Sequence, residues 1–134
     1  MTTSRTENQT ALLGVVLTLS RLWEHILNTN LKADFSFQQF LLLAAMDKRF
    51  DAPPRITDLA QAMLMTHQNV KKLALQLQKK NFVTLKPDPE DRRAVRIHFT
   101  PHYHAYWEER KDADIVRMEH LFADATDETI ESLL

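Results

Sequence analysis

The chain has 134 residues, enough for one domain with a real core, and its 44 % hydrophobic and 26 % charged composition is that of a globular protein. A single glycine argues against glycine-rich phosphate loops, and the lack of cysteine excludes disulfides, thiolate zinc sites and thiol-based redox sensing. The net charge of −1 conceals a segregation: residues 67–100 carry +5, residues 101–134 carry −6, and residues 1–66 balance. A basic middle in an acidic chain is the footprint expected of a polyanion-binding face.

In chain order, residues 1–8 are polar and expected to fray. From Gln9 to Asn30, apolar residues recur at helical spacing through Leu12, Val15/Val16, Leu19, Leu22/Trp23 and Ile26/Leu27. Leu13 and Leu17 widen that stripe beyond what one small domain needs, so a second subunit competes with plain core packing as its partner. Nothing resembles a signal peptide, and Arg21 and Glu24 interrupt the apolar run, so no membrane helix is expected and the chain reads as cytoplasmic.

Ser36 and Gln39 form an S-x-x-Q capping box that opens a second helix, whose run Phe40–Met46 is expected to be buried on most sides. Pro53-Pro54 forbid its continuation. Arg55-Ile56 can add a short strand, and Thr57 is the expected N-cap of a third helix. Thr66 caps a fourth, with Met65 and Val70 placed as a hydrophobic staple. Val70, Leu73, Ala74 and Leu77 then define its apolar face at i, i+3, i+4 and i+7. Two helices joined by so short a turn are a helix-turn-helix pattern. Opposite the apolar face stand Gln68, Lys72, Leu75 and Lys79, flanked by Asn69, Lys71 and Gln76. Amides and lysines of this kind suit a major groove, although many solvated amphipathic helices look the same.

From Val83 the period changes to two. Val83 and Leu85 precede a seven-residue polar tip, and Val95, Ile97 and Phe99 then alternate with Ala94, Arg96 and His98. This is a hairpin with adjacent Arg92 and Arg93 at its tip. Thr100-Pro101 opens a further helix rich in acids, and a last one begins near Thr126-Asp127 with Ile130, Leu133 and Leu134 on one face. No nucleophile elbow, H-E-x-x-H or nucleotide loop is present, so an enzyme is not expected. His98, His102 and His104 cluster in sequence and make a metal-responsive protein a rival reading, with incidental surface histidines the commoner case.

A helix-turn-helix followed by a basic-tipped hairpin is a winged helix. The wing signature D-x-R-x-x-x-L-x-L-T is matched by Asp91, Arg93, Ile97, Phe99 and Thr100 with two conservative changes. With it, the S-x-x-Q helix opening and the order of LAQAMLMTHQNVKKLALQLQKKNFV, the chain resembles the MarR family of bacterial transcription factors along nearly its whole length. Asn81 stands where the family has glycine, Leu85 where it often has a basic residue, and the terminal helix is shorter than usual.

The resemblance implies a mainly α fold with a small β-hairpin (α+β). A single domain over 1–134 would hold a winged helix-turn-helix lobe at 36–100, flanked by dimerisation helices at 9–30 and 101–134. It implies a homodimeric repressor on a pseudo-palindromic operator. Thr66, Gln68, Asn69, Lys71, Lys72, Arg92 and Arg93 would contact DNA, and Asp91 would hold an arginine of the wing. An aromatic or phenolic effector is implied in a pocket that Trp23, His25, Phe35 and Trp107 are candidates to line. No cofactor is implied. A winged helix used for protein contacts is the other rival.

Overall fold

The computed structural model describes residues 2–30 and 34–132. Its elements are α1 (Thr2–Asn30), α2 (Phe37–Arg49), α3 (Ile56–Ala62), α4 (His67–Lys79), β1 (Val83–Pro87), β2 (Val95–Phe99), α5 (Pro101–Leu121) and α6 (Asp127–Glu131). The fold is mainly α with one two-stranded antiparallel hairpin, as the winged-helix pattern requires.

Helix α1 extends to Thr2 where fraying is expected. No proline interrupts its first turns, and Thr10 donates back to the Thr6 carbonyl at 2.9 Å. Its apolar stripe stays uncovered: Leu12, Leu13, Val15, Val16, Leu17, Leu19 and Leu22 are all about half exposed. By length and composition alone Ser4–Thr29 could cross a bilayer, which the expectation of no membrane helix did not allow for; Arg21 and Glu24 inside it pair at 3.0 Å.

The Ser36–Gln39 capping box forms. Ser36 Oγ accepts from the Gln39 N–H, and Gln39 Oε1 accepts from the Ser36 N–H, each at 3.2 Å. Leu42, Leu43 and Met46 are buried as the continuous apolar run suggests, but Leu41 is exposed. A helix in a domain this small keeps one flank outward. Helix α3 begins at Ile56 and its N-cap is Arg55, not Thr57. Pairing of Arg55 with Arg96 across an isolated bridge draws this segment toward β2, and Asp58 Oδ2 accepts from the Arg55 N–H at 3.2 Å. The turn to α4 holds Leu64 at φ 53°, a left-handed conformation that costs a β-carbon about 1–2 kcal/mol. Asn81, in the place of the family's glycine, adopts φ 63°. The turn therefore survives on asparagine's tolerance of that region.

One core joins these pieces. Leu42, Leu43, Leu59, Val70, Ala74, Leu77, Val83 and Ile97 are almost fully buried, so three helices and the hairpin share a single apolar cluster. Phe35, Phe82, Tyr103, Tyr106 and Trp107 extend it as an aromatic group toward α5, with Phe35–Phe82 centroids 4.6 Å apart. The expected α6 starts at its Thr126 cap. Leu133 and Leu134 lie outside the described residues.

In the hairpin His98 faces Thr84, next to the Lys86–Arg96 pair. Burial first, then the Lys86 and Arg96 charges, hold its pKa below the ordinary imidazole value. A lowered pKa means that protonation opposes folding. The contribution to stability is whole above the ordinary value and is lost as pH falls through the lowered one. Between about pH 7.5 and about pH 5, His98→Gln should therefore lose less melting temperature than the wild type does. Parallel declines in the two proteins would take His98 out of the hairpin's acid response.

Candidate nucleic-acid interface

Helix α4 presents its polar face because its apolar face is committed. Val70, Leu73, Ala74 and Leu77 are buried, and Thr66 Oγ1 caps the helix by accepting from the Asn69 N–H at 3.2 Å. Gln68, Asn69, Lys71, Lys72, Leu75, Gln76 and Lys79 together line a shallow concavity on the outer surface. All but Gln76 are exposed. Gln76 turns inward and accepts from Gln39 Nε2 at 2.9 Å. Lys80 also turns inward: its Nζ donates to the Asp34 carbonyl at 2.6 Å and to Gln39 Oε1 at 2.9 Å.

The wing stands beside this helix. Phe82 N–H bonds to the Leu77 carbonyl at 3.0 Å, and Gln78 Oε1 accepts from the Leu85 N–H at 2.8 Å, so the end of α4 runs directly into β1. Leu85 thus takes part in the junction as well as the core. The tip is folded on itself: Asp88 N–H donates to the Ala94 carbonyl at 2.9 Å, and Ala94 N–H to the Asp91 carbonyl at 2.9 Å. Arg92 and Arg93 are exposed there. Among the described residues, the side chains of Lys71, Lys72, Lys79, Arg92 and Arg93 have no carboxylate within 4.0 Å.

The role expected of one acid in the wing is refined. Asp91 Oδ1 accepts from the backbone N–H of Arg93 at 3.0 Å, so it fixes the turn that carries Arg93 and not a guanidinium. The carboxylate that holds arginines is Asp88, which binds Arg55 Nε at 2.5 Å and Arg96 Nε at 3.0 Å. Its pKa is lowered chiefly by the Glu90 N–H and by the two arginines, against the opposing effect of burial. Three acids within four tip residues gave no sequence signal as to which one is buried.

A second concavity, of about 900 Å³, lies between α1, α2 and α5. Trp23 and Trp107 line it together with Ile26, Phe40, Arg110 and Met118. His25 and Phe35 do not. His25 is exposed, while Phe35 is sealed in the aromatic core with Phe82 and Tyr106. Trp107 Nε1 and Arg110 Nε are buried there without a hydrogen-bond acceptor among the described residues, Arg110 Nε standing 3.6 Å from Asp114 Oδ2. The three histidines of the metal reading stay apart in their contacts. His102 packs on the Phe82 ring and His104 on Phe99 and Tyr103, and no group of three or more His, Cys, Asp or Glu among the described residues is placed to hold a metal ion.

The sequence profile described as MarR family matches residues 33–94, which contain α2, the helix-turn-helix and most of the wing. No curated protein matches the chain. Among solved structures, the transcriptional regulator BldR from Sulfolobus solfataricus is similar with a TM-score of 0.76 at 21 % identity, over 94 % of this chain and 91 % of that one. A MarR protein from Peptoclostridium difficile gives 0.74 at 22 %, covering 91 % and 79 %. AbsC, a MarR family transcriptional regulator from Streptomyces coelicolor, gives 0.73 at 18 %, covering 94 % and 86 %. Residues 33–94 are thus similar to the MarR family, and the chain as a whole shares the winged-helix fold of these solved structures.

Proposed function

We propose that this protein is a homodimeric transcriptional regulator that binds duplex DNA in a sequence-specific way and acts as a repressor from the cytoplasm. The observation that carries the reading is a set of cations on one lobe with no carboxylate within 4.0 Å among the described residues. Lys71, Lys72 and Lys79 on α4, with Arg92 and Arg93 at the wing tip, repel one another in a chain of net charge −1 and are best balanced by phosphates. In this reading Gln68 and Asn69 meet base edges in the major groove, Thr66, Lys71 and Lys72 meet phosphates, and Arg93, with Arg92 in support, enters the adjacent minor groove. Neither rival fits as well, since a protein partner would need a densely acidic surface to balance these cations, and no group of three or more candidate metal ligands stands together among the described residues.

The half-exposed leucines and valines of α1 support a dimer. Left in water, a stripe this long is unfavourable, and a second copy covers it with the same surface. The lobe at 36–100 then reads DNA, and the segments 9–30 and 101–134 pair the subunits. Two-fold symmetry sets half-sites roughly 34–36 Å apart on a pseudo-palindrome.

The α1–α2–α5 concavity supports a small aromatic acid as the releasing effector. Its walls are mainly aromatic and aliphatic, with Arg110 and Arg117 among them as charge for a carboxylate, and Trp107 Nε1 has no hydrogen-bond acceptor among the described residues. A polar chain runs from its wall toward α4. Arg110 lies over the Tyr106 ring, Tyr106 donates to Asp34 Oδ2 at 2.8 Å, and Lys80 joins Asp34 to Gln39 and hence to Gln76. Burial and the Asp34 bond push the Tyr106 pKa up to about 12, so the phenol keeps the proton it donates.

On a duplex enriched from random sequence by the purified protein, Arg93→Ala should weaken binding about ten- to a hundredfold, with dimerisation and melting unchanged. Lys72→Ala should make the salt dependence shallower by about 0.9 for each phosphate released. Unchanged affinity in the first variant removes the wing from recognition, and salt-insensitive binding throughout favours a protein partner.

Both tryptophans of the chain line the concavity, so intrinsic fluorescence reports on it directly. Benzoate and larger aromatic carboxylates should quench that fluorescence and lower DNA affinity, and Arg110→Met should abolish both effects. Release from DNA with no change in fluorescence would place the effector elsewhere.

A further inference from the structure

Near the tip of the wing lies a charged cluster that contact with DNA does not itself require. Asp88 is 1 % exposed, and a carboxylate so withdrawn from water is tolerated only with its charge and lone pairs answered. Its Oδ1 accepts from the Glu90 N–H at 2.9 Å. Its Oδ2 accepts from two guanidinium groups that arrive from different parts of the chain. Arg96 lies on β2, within the same hairpin, and its Nη1 also reaches the Pro53 carbonyl at 2.6 Å. Arg55 is the N-cap of α3, outside the hairpin altogether. Beside them Ile97 N–H bonds to the Pro54 carbonyl at 2.9 Å, and the Arg55–Arg96 bridge continues the contact.

A hairpin continuous with α4 at one end and α5 at the other could pivot about its base. Here the segment Pro53–Arg55 acts as a short third edge, and Asp88 bolts it on close to the tip. Arg93 is five residues beyond Asp88, so a small rotation at the bolt becomes a larger displacement of the guanidinium.

We propose that Asp88 is a positioning residue for DNA binding. By holding Arg55 and Arg96 together it makes the wing rigid with α3 and α4, so that Arg93 and the recognition helix meet one duplex in a fixed relative attitude. Arg55 and Arg96 are thereby committed to the protein and are not phosphate contacts. This inference rests on the DNA-binding reading above, and its test separates the two.

The test is Arg55→Met, which removes the Arg55 arm of the tie between lobe and wing while leaving the Asp88–Arg96 pair, the Arg96–Pro53 bond and the Glu90 bond in place. In the free protein, hydrogen exchange at the Ile97 amide should rise about tenfold or more, with the buried amides of α4 unchanged. On DNA, the penalty of Arg93→Ala should shrink at least about threefold in the Arg55→Met background, because a wing that pivots no longer delivers its arginine. In the Arg93→Ala background, adding Arg55→Met should leave the salt dependence unchanged.

Ile97 exchange at the wild-type rate overturns the proposal. So does an undiminished Arg93→Ala penalty, or a further flattening of the salt slope by about one phosphate when Arg55→Met is added to Arg93→Ala, which would make Arg55 a DNA contact. If the wild type binds no duplex, the DNA-binding reading fails, and the exchange measurement alone decides whether the bolt exists.

Discussion

The packing of α4 is the constraint on which the rest depends. A helix has one circumference, and four buried residues at i, i+3, i+4 and i+7 use up the side that faces the core. Gln68, Lys72, Leu75 and Lys79 must then face outward, whatever else the lobe does. Because Leu59 of α3, Leu42 and Leu43 of α2 and Ile97 of β2 close on the same cluster, α4 cannot roll without opening the core. A reading surface on α4 inherits the rigidity of the apolar cluster beneath it.

Much of this was legible in the residues because the controlling interactions are local. The Ser36–Gln39 box, the Thr66 and Thr100 caps, the change from a period near 3.6 to a period of two at Val83, and the left-handed turn at Asn81 each act within a few positions. What was not legible depends on pairs far apart in the chain. Asp88 and Arg55 are 33 residues apart, and nothing in the string PDPED distinguishes the buried acid from the two exposed ones. Lys80 reads as one more surface cation until Asp34 and Gln39 are found around it. Trp107 and Phe35 are alike as aromatic residues, and only the fold makes one the wall of a concavity and the other part of the core.

The chain is unevenly covered. Most apolar residues of the lobe are buried, whereas α1 and the second half of α5 leave Leu12, Leu17, Ile115, Val116, Met118 and Leu121 about half exposed or more. The large concavity lies along this boundary, with Leu27 and Phe40 on the packed side and Met118 and Leu121 on the open side. An occupant there touches both the lobe and the helices assigned to pairing. In the proposed reading it would shift one relative to the other without disturbing the core that holds α4, provided that the link between them is polar and not packed.

The Tyr106–Asp34–Lys80–Gln39–Gln76 chain has that character. Apolar packing resists displacement in every direction, but a hydrogen bond can exchange partners at little cost where an alternative donor or acceptor is near. Lys80 is the C-cap of α4 and holds the main-chain carbonyl of Asp34, and Gln76 lies one turn earlier, so in the proposed regulator a shift of the Asp34 backbone would be felt at the end of α4 that feeds the wing. At the other side of the hairpin, Asp88 fixes the wing to α3 through charged bonds that leave no spare acceptor on Oδ2. The two polar systems are thus opposite in kind: one joins the concavity to α4 through exchangeable neutral and singly charged bonds, and the other makes α3, α4 and the wing a single body. A signal that enters through the first would move the whole reading surface and not one side chain of it, which is what changing the separation of two half-site readers in a symmetric dimer requires.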